Sequence, residues 1–177
     1  MMKILRIRSL LRTLILSIAF LAMAASAQPT DIRVGSMIVK MPTDWYQTTI
    51  PSDEPYTRAV LASNSPSEEQ ALMMISVIPK DGRTLASLSS ATRNYIATRM
   101  DGVLEFERTT TIAGAPAHTF VYEGRSEHSG QGRRKFMRTL IERGNSFYVL
   151  QGVANHIPFA NHAGTLEDMF NSVQWAN

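Results

Sequence analysis

The sequence contains no cysteine among its 177 residues. This absence excludes disulfide bonds, thiol nucleophiles, redox-active cysteine pairs and cysteine-ligated metals. It also excludes a lipid anchor attached through a cysteine. A folded domain must therefore rely on its packed core, and a chain of about 150 residues buries about 70% of its unfolded surface, which is sufficient.

A long hydrophobic run is also missing. Residues 14–25 are apolar except for Ser17, and this stretch is shorter than the roughly 20 residues that span a bilayer. It is followed by Ala25-Ser26-Ala27 and preceded by four basic residues, Lys3, Arg6, Arg8 and Arg12. This pattern is typical of a cleavable secretory signal. We expect residues 1–27 to be a signal peptide and residues 28–177 to form a single domain in the periplasm or outside the cell.

The apparent basicity of the chain comes from this first segment. The whole chain has 18 Lys and Arg against 15 Asp and Glu, a formal net charge of +3. Residues 28–177 contain 14 basic and 15 acidic residues, a net charge of −1. Nucleic-acid binding usually requires a basic face on the folded domain. We therefore expect no nucleic-acid partner and, after cleavage, no stable membrane anchor.

Alternation over 37–41, and elsewhere runs rich in apolar and strand-forming residues between turn-forming residues, predict seven strands. They cover 37–41, 58–62, 71–78, 104–112, 117–123, 134–143 and 147–154. Helical periodicity predicts a mid-chain helix over 85–100, capped by Thr84, and a C-terminal helix over 163–172. Residues 28–33 are expected to be an irregular lead-in, and Thr43-Asp44-Trp45 a turn. This order predicts an α+β fold, an α/β/α sandwich with a central, mainly antiparallel sheet.

Four motifs follow one another along residues 28–177. They are Met41-Pro42-Thr43-Asp44-Trp45, the inter-strand turn Thr111-Ile112-Ala113-Gly114-Ala115-Pro116-Ala117, the strand 148–154 and the closing Ser172-Val173-Gln174-Trp175. In these motifs the chain resembles the PsbP-like superfamily. That superfamily includes the extrinsic photosystem protein PsbP, the Ran-binding Mog proteins and the bacterial DcrB-type periplasmic proteins.

The resemblance implies the same α/β/α sandwich around an antiparallel sheet. It also implies a binding or assembly role, because the characterised members mostly work in that way. DcrB-type lipoproteins carry a lipidated cysteine at the start of the mature chain, where this sequence has Gln28. Membrane tethering of that kind is therefore not implied.

A basic cluster is the strongest local charge feature after residue 27; its members are Arg133, Arg134, Lys135 and Arg138. These residues are candidates for binding an acidic protein partner, anionic lipid headgroups or envelope polyanions. Strand alternation places Arg134 and Phe136 on one face and Lys135 on the other. The alternative, which we favour at this point, is a charged edge strand that discourages aggregation.

The two tryptophans, Trp45 and Trp175, are candidates for lining a ligand cleft. The alternative is that each anchors the edge of the core.

His156 and His162 are the candidate metal ligands. Pro158 lies between them, so we expect both on a loop, where they could converge on Zn²⁺ or Cu²⁺ with His118 or His128. The alternatives are solvent-exposed histidines, or side chains that cap the last helix. No other cofactor is indicated.

Signals for catalysis are few. Glu105 and Glu107 alternate with Leu104 and Phe106, which favours a solvated strand face over a pair of catalytic acids. No Gly-x-Ser-x-Gly motif is present. We expect a non-catalytic accessory or binding protein of the cell envelope. The alternative is a small-molecule or metal-binding module that uses a cleft near Trp45 or the His156/His162 loop.

Overall fold

The computed structural model describes residues 28–67, 69–125 and 132–176, without the side chains of His156 and Ile157. The predicted signal and His128 lie outside these residues. The strands are β1 (Thr30–Val34), β2 (Met37–Met41), β3 (Trp45–Thr48), β4 (Thr57–Ser63), β5 (Leu72–Pro79), β6 (Val103–Ile112), β7 (Ala115–Arg125), β8 (Arg133–Arg143), β9 (Ser146–Ala154) and β10 (Gln174–Trp175). The helices are α1 (Leu85–Thr98) and α2 (His156–Asn171). None of the described helices is long and apolar enough to cross a membrane.

The centre of the fold is a seven-stranded sheet with the order β3-β4-β5-β9-β8-β7-β6. All neighbouring strands in it are antiparallel. A second, three-stranded antiparallel sheet has the order β1-β2-β10. The expected α+β sandwich with a mainly antiparallel sheet is confirmed.

Helix α1 covers one face of the large sheet, over β6, β7 and β8. Thr84 caps its start, as predicted: its hydroxyl accepts from the Ser87 amide at 3.1 Å, and the Ser87 hydroxyl accepts from the Thr84 amide at 3.0 Å. This reciprocal arrangement satisfies backbone donors at the helix start and the cap itself. Ile96 and Met100 are buried against Phe120, Tyr122 and Phe136 of the sheet.

Helix α2 lies on the opposite face, with the small sheet. It begins at His156, seven residues before the predicted start, so the prediction of a loop around His156 and His162 is wrong. The loop was predicted because Pro158 lies between the two histidines. Pro158 lies in the first turn of α2, where a helix tolerates proline. Leu166, Met169 and Phe170 form the buried side of the helix.

Three short strands were not expected. β1 replaces the predicted irregular lead-in, because Ile32 and Val34 pair with Val39 and Met37 of β2 and are buried. β3 replaces the end of the predicted turn at Trp45, and β10 pairs with β2 across most of the chain. β3 and β10 are four and two residues long, which is too short for alternation to be recognised. β1 is five residues long, and only Ile32 and Val34 in it are apolar.

Strand β6 forms one edge of the large sheet and contains an irregularity between Leu104 and Phe106. Leu104 pairs with Tyr122, but Phe106 pairs with its neighbour Val121, so Leu104 and Phe106 face opposite sides. Glu105 and Glu107 are separated in the same way. The expectation of one solvated carboxylate face is therefore wrong, because a bulge inserts an extra residue and reverses the alternation.

Candidate functional site

A groove lies on the α1 face of the sheet, above β5 and β9. Helix α1 covers the strands on one side of it, and the loop over residues 49–56 lies on the other. The cavity measures about 330 Å³. Its lining, which defines the β5–β9 groove, is Pro51, Asp53, Glu54, Leu72, Met74, Ser76, Tyr95, Met100, Arg134, Phe136, Arg138, Val149, Gln151 and Val153.

Strand register explains why these side chains meet. Residues directly opposite one another in an antiparallel sheet point to the same face. One such row runs across Met74, Gln151 and Arg138, and the next runs across Leu72, Val153 and Phe136. β5 and the consecutive strands β8 and β9, which lie far from β5 in the sequence, therefore build one floor.

Arg138 is the central polar residue of this floor. Its Nε donates to the Gln151 side-chain oxygen at 2.6 Å, and its guanidinium carbon lies 5.7 Å from the centre of the Tyr95 ring. Among the described residues, no carboxylate lies within ion-pair distance of Arg138. The groove thus contains a half-buried guanidinium that Gln151 and Tyr95 hold in place.

The opposite wall of the groove is acidic. Asp53 and Glu54 line it, and a Glu54 carboxylate oxygen accepts from the Thr57 hydroxyl at 3.4 Å. Arg134 lines the groove on the side of β8. Two cations and two anions therefore surround a mainly apolar floor.

The predicted basic cluster is divided by strand alternation, as expected. Arg134 and Arg138 line the groove, whereas Lys135 lies on the α2 face, 2.7 Å from Glu105 and above Phe159. At the start of β8, Arg133 pairs with Glu123 at 2.7 Å and with Asp101 at 3.3 Å. Only part of the cluster is thus directed at the groove.

The interpretation of this segment as an edge strand is wrong. β8 lies between β7 and β9, and the edges of the large sheet are β3 and β6. The charges of β8 therefore do not protect an edge. β8 is an interior strand because it pairs with both β7 and β9, and the sequence of β8 does not reveal this pairing.

The two tryptophans lie on the α2 side of the sheet, away from the groove. Trp45 is 4% exposed, and its ring centre is 6.1 Å from that of His162. Trp175 donates from Nε1 to the Ala113 carbonyl at 3.1 Å and packs edge-on against Tyr148. Neither lines the β5–β9 groove, and a ligand cleft at Trp45 or Trp175 stays a prediction.

The histidines are not brought together by the described structure. His162 Nε2 lies 3.0 Å from the Glu69 carbonyl oxygen on the α2 side, whereas His118 stacks on Phe120 on the α1 side. The described residues contain no group of three His, Asp or Glu side chains that could hold a metal ion. The side chain of His156 lies outside the described residues, so metal binding at His156 and His162 stays a prediction.

Glu107 joins α1 to the edge strand. Its carboxylate is 2.7 Å from Arg93 Nε and 3.5 Å from His118 Nε2. The hydrogen bond from Arg93, helped by the charges of Arg93 and His118, holds the pKa of Glu107 below its ordinary value of 4.5 even though burial opposes this shift. A carboxylate held ionised in this way is suited to fastening α1 rather than to donating a proton.

Two further cavities adjoin the sheet. One of about 440 Å³ continues from the groove and shares Leu72, Arg134 and Val153 with it. The other, of about 230 Å³, lies on the α2 side beneath Phe106 and Phe170 and is rich in threonine. Two of its lining residues, Thr119 and Thr139, are buried and hydrogen-bonded to each other at 2.9 Å. That bond gives each hydroxyl group a partner within the protein.

No protein-family model and no curated protein sequence matches this chain. Solved structures do. Cyanobacterial PsbP (CyanoP) from Synechocystis sp. PCC 6803 has a TM-score of 0.64 at 13% identity, over 86% of this chain and 95% of that chain. LpqN, involved in cell envelope biogenesis of Mycobacterium tuberculosis, has a TM-score of 0.60 at 13% identity, over 85% of this chain and 91% of that chain.

The Saccharomyces cerevisiae Ran-binding protein Mog1p has a TM-score of 0.58 at 8% identity, over 86% of this chain and 97% of that chain. At such low identities the likeness concerns the fold alone. The chain has a PsbP/Mog1-like fold, which confirms the resemblance seen in its sequence motifs.

Proposed function

We propose that this protein is a non-catalytic binding protein of the cell envelope that holds its ligand in the β5–β9 groove. The observation that carries the proposal is Arg138, a half-buried cation oriented by Gln151 and Tyr95 above an apolar floor. A concave apolar surface with a few oriented polar groups is the usual form of a ligand site.

The groove offers binding groups rather than a catalytic set. Catalysis by acyl transfer needs a nucleophile, a base and an orienting group within mutual reach. The described lining contains no histidine, and its serine hydroxyl, Ser76 Oγ, lies 3.1 Å from Thr57 Oγ1. That hydroxyl is occupied in a cross-strand contact rather than placed beside a base. A role in binding agrees with the accessory or binding proteins that share the fold.

The proposed location rests on residues 1–27 and on the near-neutral charge of the rest of the chain. Export followed by cleavage would deliver residues 28–177 to the periplasm or the medium. LpqN, a structural neighbour, is involved in cell envelope biogenesis, which supports a role in the envelope. The test is expression of the full chain in a bacterial host, followed by cell fractionation and mass measurement. A processed form beginning near Gln28 outside the cytoplasm is expected, and an unprocessed cytoplasmic protein would contradict the proposal.

The groove is tested by photo-crosslinking within the envelope. A benzoylphenylalanine replaces Met74, which lies in the floor, and in a control protein it replaces Arg33, which is exposed on β1. We expect light-dependent adducts from position 74 that position 33 does not form. The yield of these adducts should fall when Val149→Phe narrows the groove. Identical adducts from both positions, or none from position 74, would show that the groove is not the binding site.

A further inference from the structure

We infer that the groove ligand is a single-chain amphiphile with one carboxylate, whose carboxylate binds Arg138 while its acyl chain lies along β5 and β9. This inference rests on the proposed function, because it specifies the ligand of the same groove. It is carried by the shape of the floor, the orientation of Arg138 and the balance of charge around the groove.

The floor requires an apolar ligand body. Leu72 and Met74 of β5 and Val149 and Val153 of β9 supply aliphatic side chains that face the same cavity, with Phe136 beside them. Leu72 and Met74 are only partly covered by the protein. Covering them with an acyl chain removes apolar surface from water, which stabilises a complex in proportion to the area covered.

The width of the groove favours one chain. A volume of about 330 Å³ lies at the low end of the roughly 300 to 1,000 Å³ found for small-molecule sites. The adjoining cavity shares Leu72, Arg134 and Val153 with the groove, but its other lining residues are mostly polar, so the acyl chain is confined to the first cavity. A single flexible chain fits a cavity of this volume better than a folded protein surface does.

Arg138 requires an anion at one point of that path. A guanidinium has five N–H donors, and Gln151 accepts from the one on Nε. The remaining donors are on the terminal nitrogens, which match the two oxygens of a carboxylate in a bidentate pair. Arg138 is in none of the ion pairs of the described residues, so a carboxylate bound there would add a charged hydrogen-bonded contact.

The charge around the groove favours a single negative charge. Arg134 and Arg138 are offset by Asp53 and Glu54, which line the opposite wall. A headgroup with several negative charges would be repelled by these acids, whereas a monocarboxylate adds one charge beside one arginine. Free fatty acids and similar acyl carboxylates are the simplest molecules of this class.

The experiment uses displacement of a dansyl-labelled undecanoate from the purified protein by three competitors. Dodecanoate has both chain and charge, dodecanol has the chain alone, and butyrate has the charge with a short chain. Dodecanoate should displace the probe at a concentration about ten- to a hundredfold lower than dodecanol, the effect expected of a charged hydrogen-bonded pair. Butyrate should not displace it.

Variants at Arg138 assign the effect. Arg138→Gln should remove the difference between dodecanoate and dodecanol, and Arg138→Lys should reduce it, because lysine retains the charge but not the bidentate geometry. Arg33→Gln is the matched control, since Arg33 is an exposed strand residue outside the groove. Circular dichroism checks that each variant folds. If Arg138→Gln does not fold, Arg138→Lys alone tests whether Arg138 binds the carboxylate.

Two results overturn the inference: equal displacement by dodecanoate and dodecanol, or unchanged preference for dodecanoate in the folded Arg138 variants. If neither the probe nor any competitor binds while position 74 still forms crosslinked adducts, the ligand class is wrong and the proposed function stands. Failure of both experiments overturns the ligand class and the groove together.

Discussion

Gly152 of β9 lies directly beneath Leu166 of α2, so that a Cβ atom at position 152 would lie 2.7 Å from Cδ1 of Leu166. Leu166 is completely buried. The hydrogen atom of glycine therefore sets how closely α2 approaches the sheet opposite the groove.

This contact predicts that Gly152→Ala destabilises the protein. The added methyl group has to displace a buried leucine, and overpacking of this kind typically costs about 1 to 3 kcal/mol. The measurement is the free energy of unfolding in urea. Gly164→Ala is the control, because nothing lies within 4 Å of a Cβ atom there and alanine stabilises a helix interior by about 0.5 to 1 kcal/mol. Equal effects of the two substitutions would contradict the close packing.

Glu142 connects β8 to the start of α1. Its carboxylate pairs with Lys80 and accepts from the Leu85 amide at 3.2 Å. The hydrogen bond from Lys80 is the main cause that holds the pKa of Glu142 below its ordinary value of 4.5, with smaller help from the Lys80 charge and the Leu85 amide and against the effect of burial. A carboxyl whose pKa is lowered on folding stabilises the folded state above its unfolded pKa and loses that contribution as the pH falls through the folded pKa.

We therefore expect Glu142→Gln to lower the free energy of unfolding by about 1 kcal/mol at pH 7, since both partners are partly exposed. The deficit should shrink as the pH falls below 4.5 and through the lowered pKa of Glu142. Urea unfolding of the two proteins across this range provides the measurement. A deficit that does not change with pH would mean that the charge of Glu142 is not the cause.

Tyr122 illustrates a different kind of burial. Its ring is fully buried and stacks on Phe136 with 4.9 Å between centres, and its hydroxyl has no hydrogen-bond partner among the described residues. Burial raises the pKa of Tyr122 above its ordinary value of 10.0. Because an unpartnered buried hydroxyl is unfavourable, Tyr122→Phe should leave stability unchanged or increase it by up to about 1 kcal/mol. A clear loss of stability in thermal unfolding would reveal a partner for this hydroxyl.

Substitutions of Arg133 and Arg138 should have different effects, although both residues belong to the basic cluster. Arg133 forms two ion pairs at the start of β8, so Arg133→Gln should lower stability by at most about 1 kcal/mol, and less at high salt. It should leave displacement of the dansyl probe unchanged. Arg138→Gln should change displacement instead, and a loss of binding in Arg133→Gln would extend the site beyond the groove.

Much of the secondary structure is predictable from the sequence. The segments that became β4 to β9 are runs of five or more strand-forming residues between turn-forming residues, so their existence follows from the sequence, with ends displaced by up to two residues. The start of α1 follows from Thr84, whose capping contacts lie within three residues. These are local properties. The short strands β1, β3 and β10 depend instead on partners elsewhere in the chain.

The candidate site is predictable only in part. The concentration of basic residues identifies Arg134 and Arg138, but nothing in their spacing distinguishes them from Arg133, which is neutralised by Asp101 and Glu123. Gln151 and Met74, which share the floor with Arg138, carry no signal as single residues. Their meeting depends on β9 entering the sheet between β5 and β8.

The sequence by itself determined the absence of thiol chemistry, the strand periodicity, the α1 start and the motifs typical of the PsbP-like fold. The tertiary structure decided which strands lie at the edges, that both α2 histidines lie on a helix, and that a groove is left open between α1 and the loop over residues 49–56. The physical reason is the range of the interactions. Periodicity and capping act between neighbours in the chain, whereas strand order, burial and the surroundings of Arg138 arise from contacts between residues that only folding brings together.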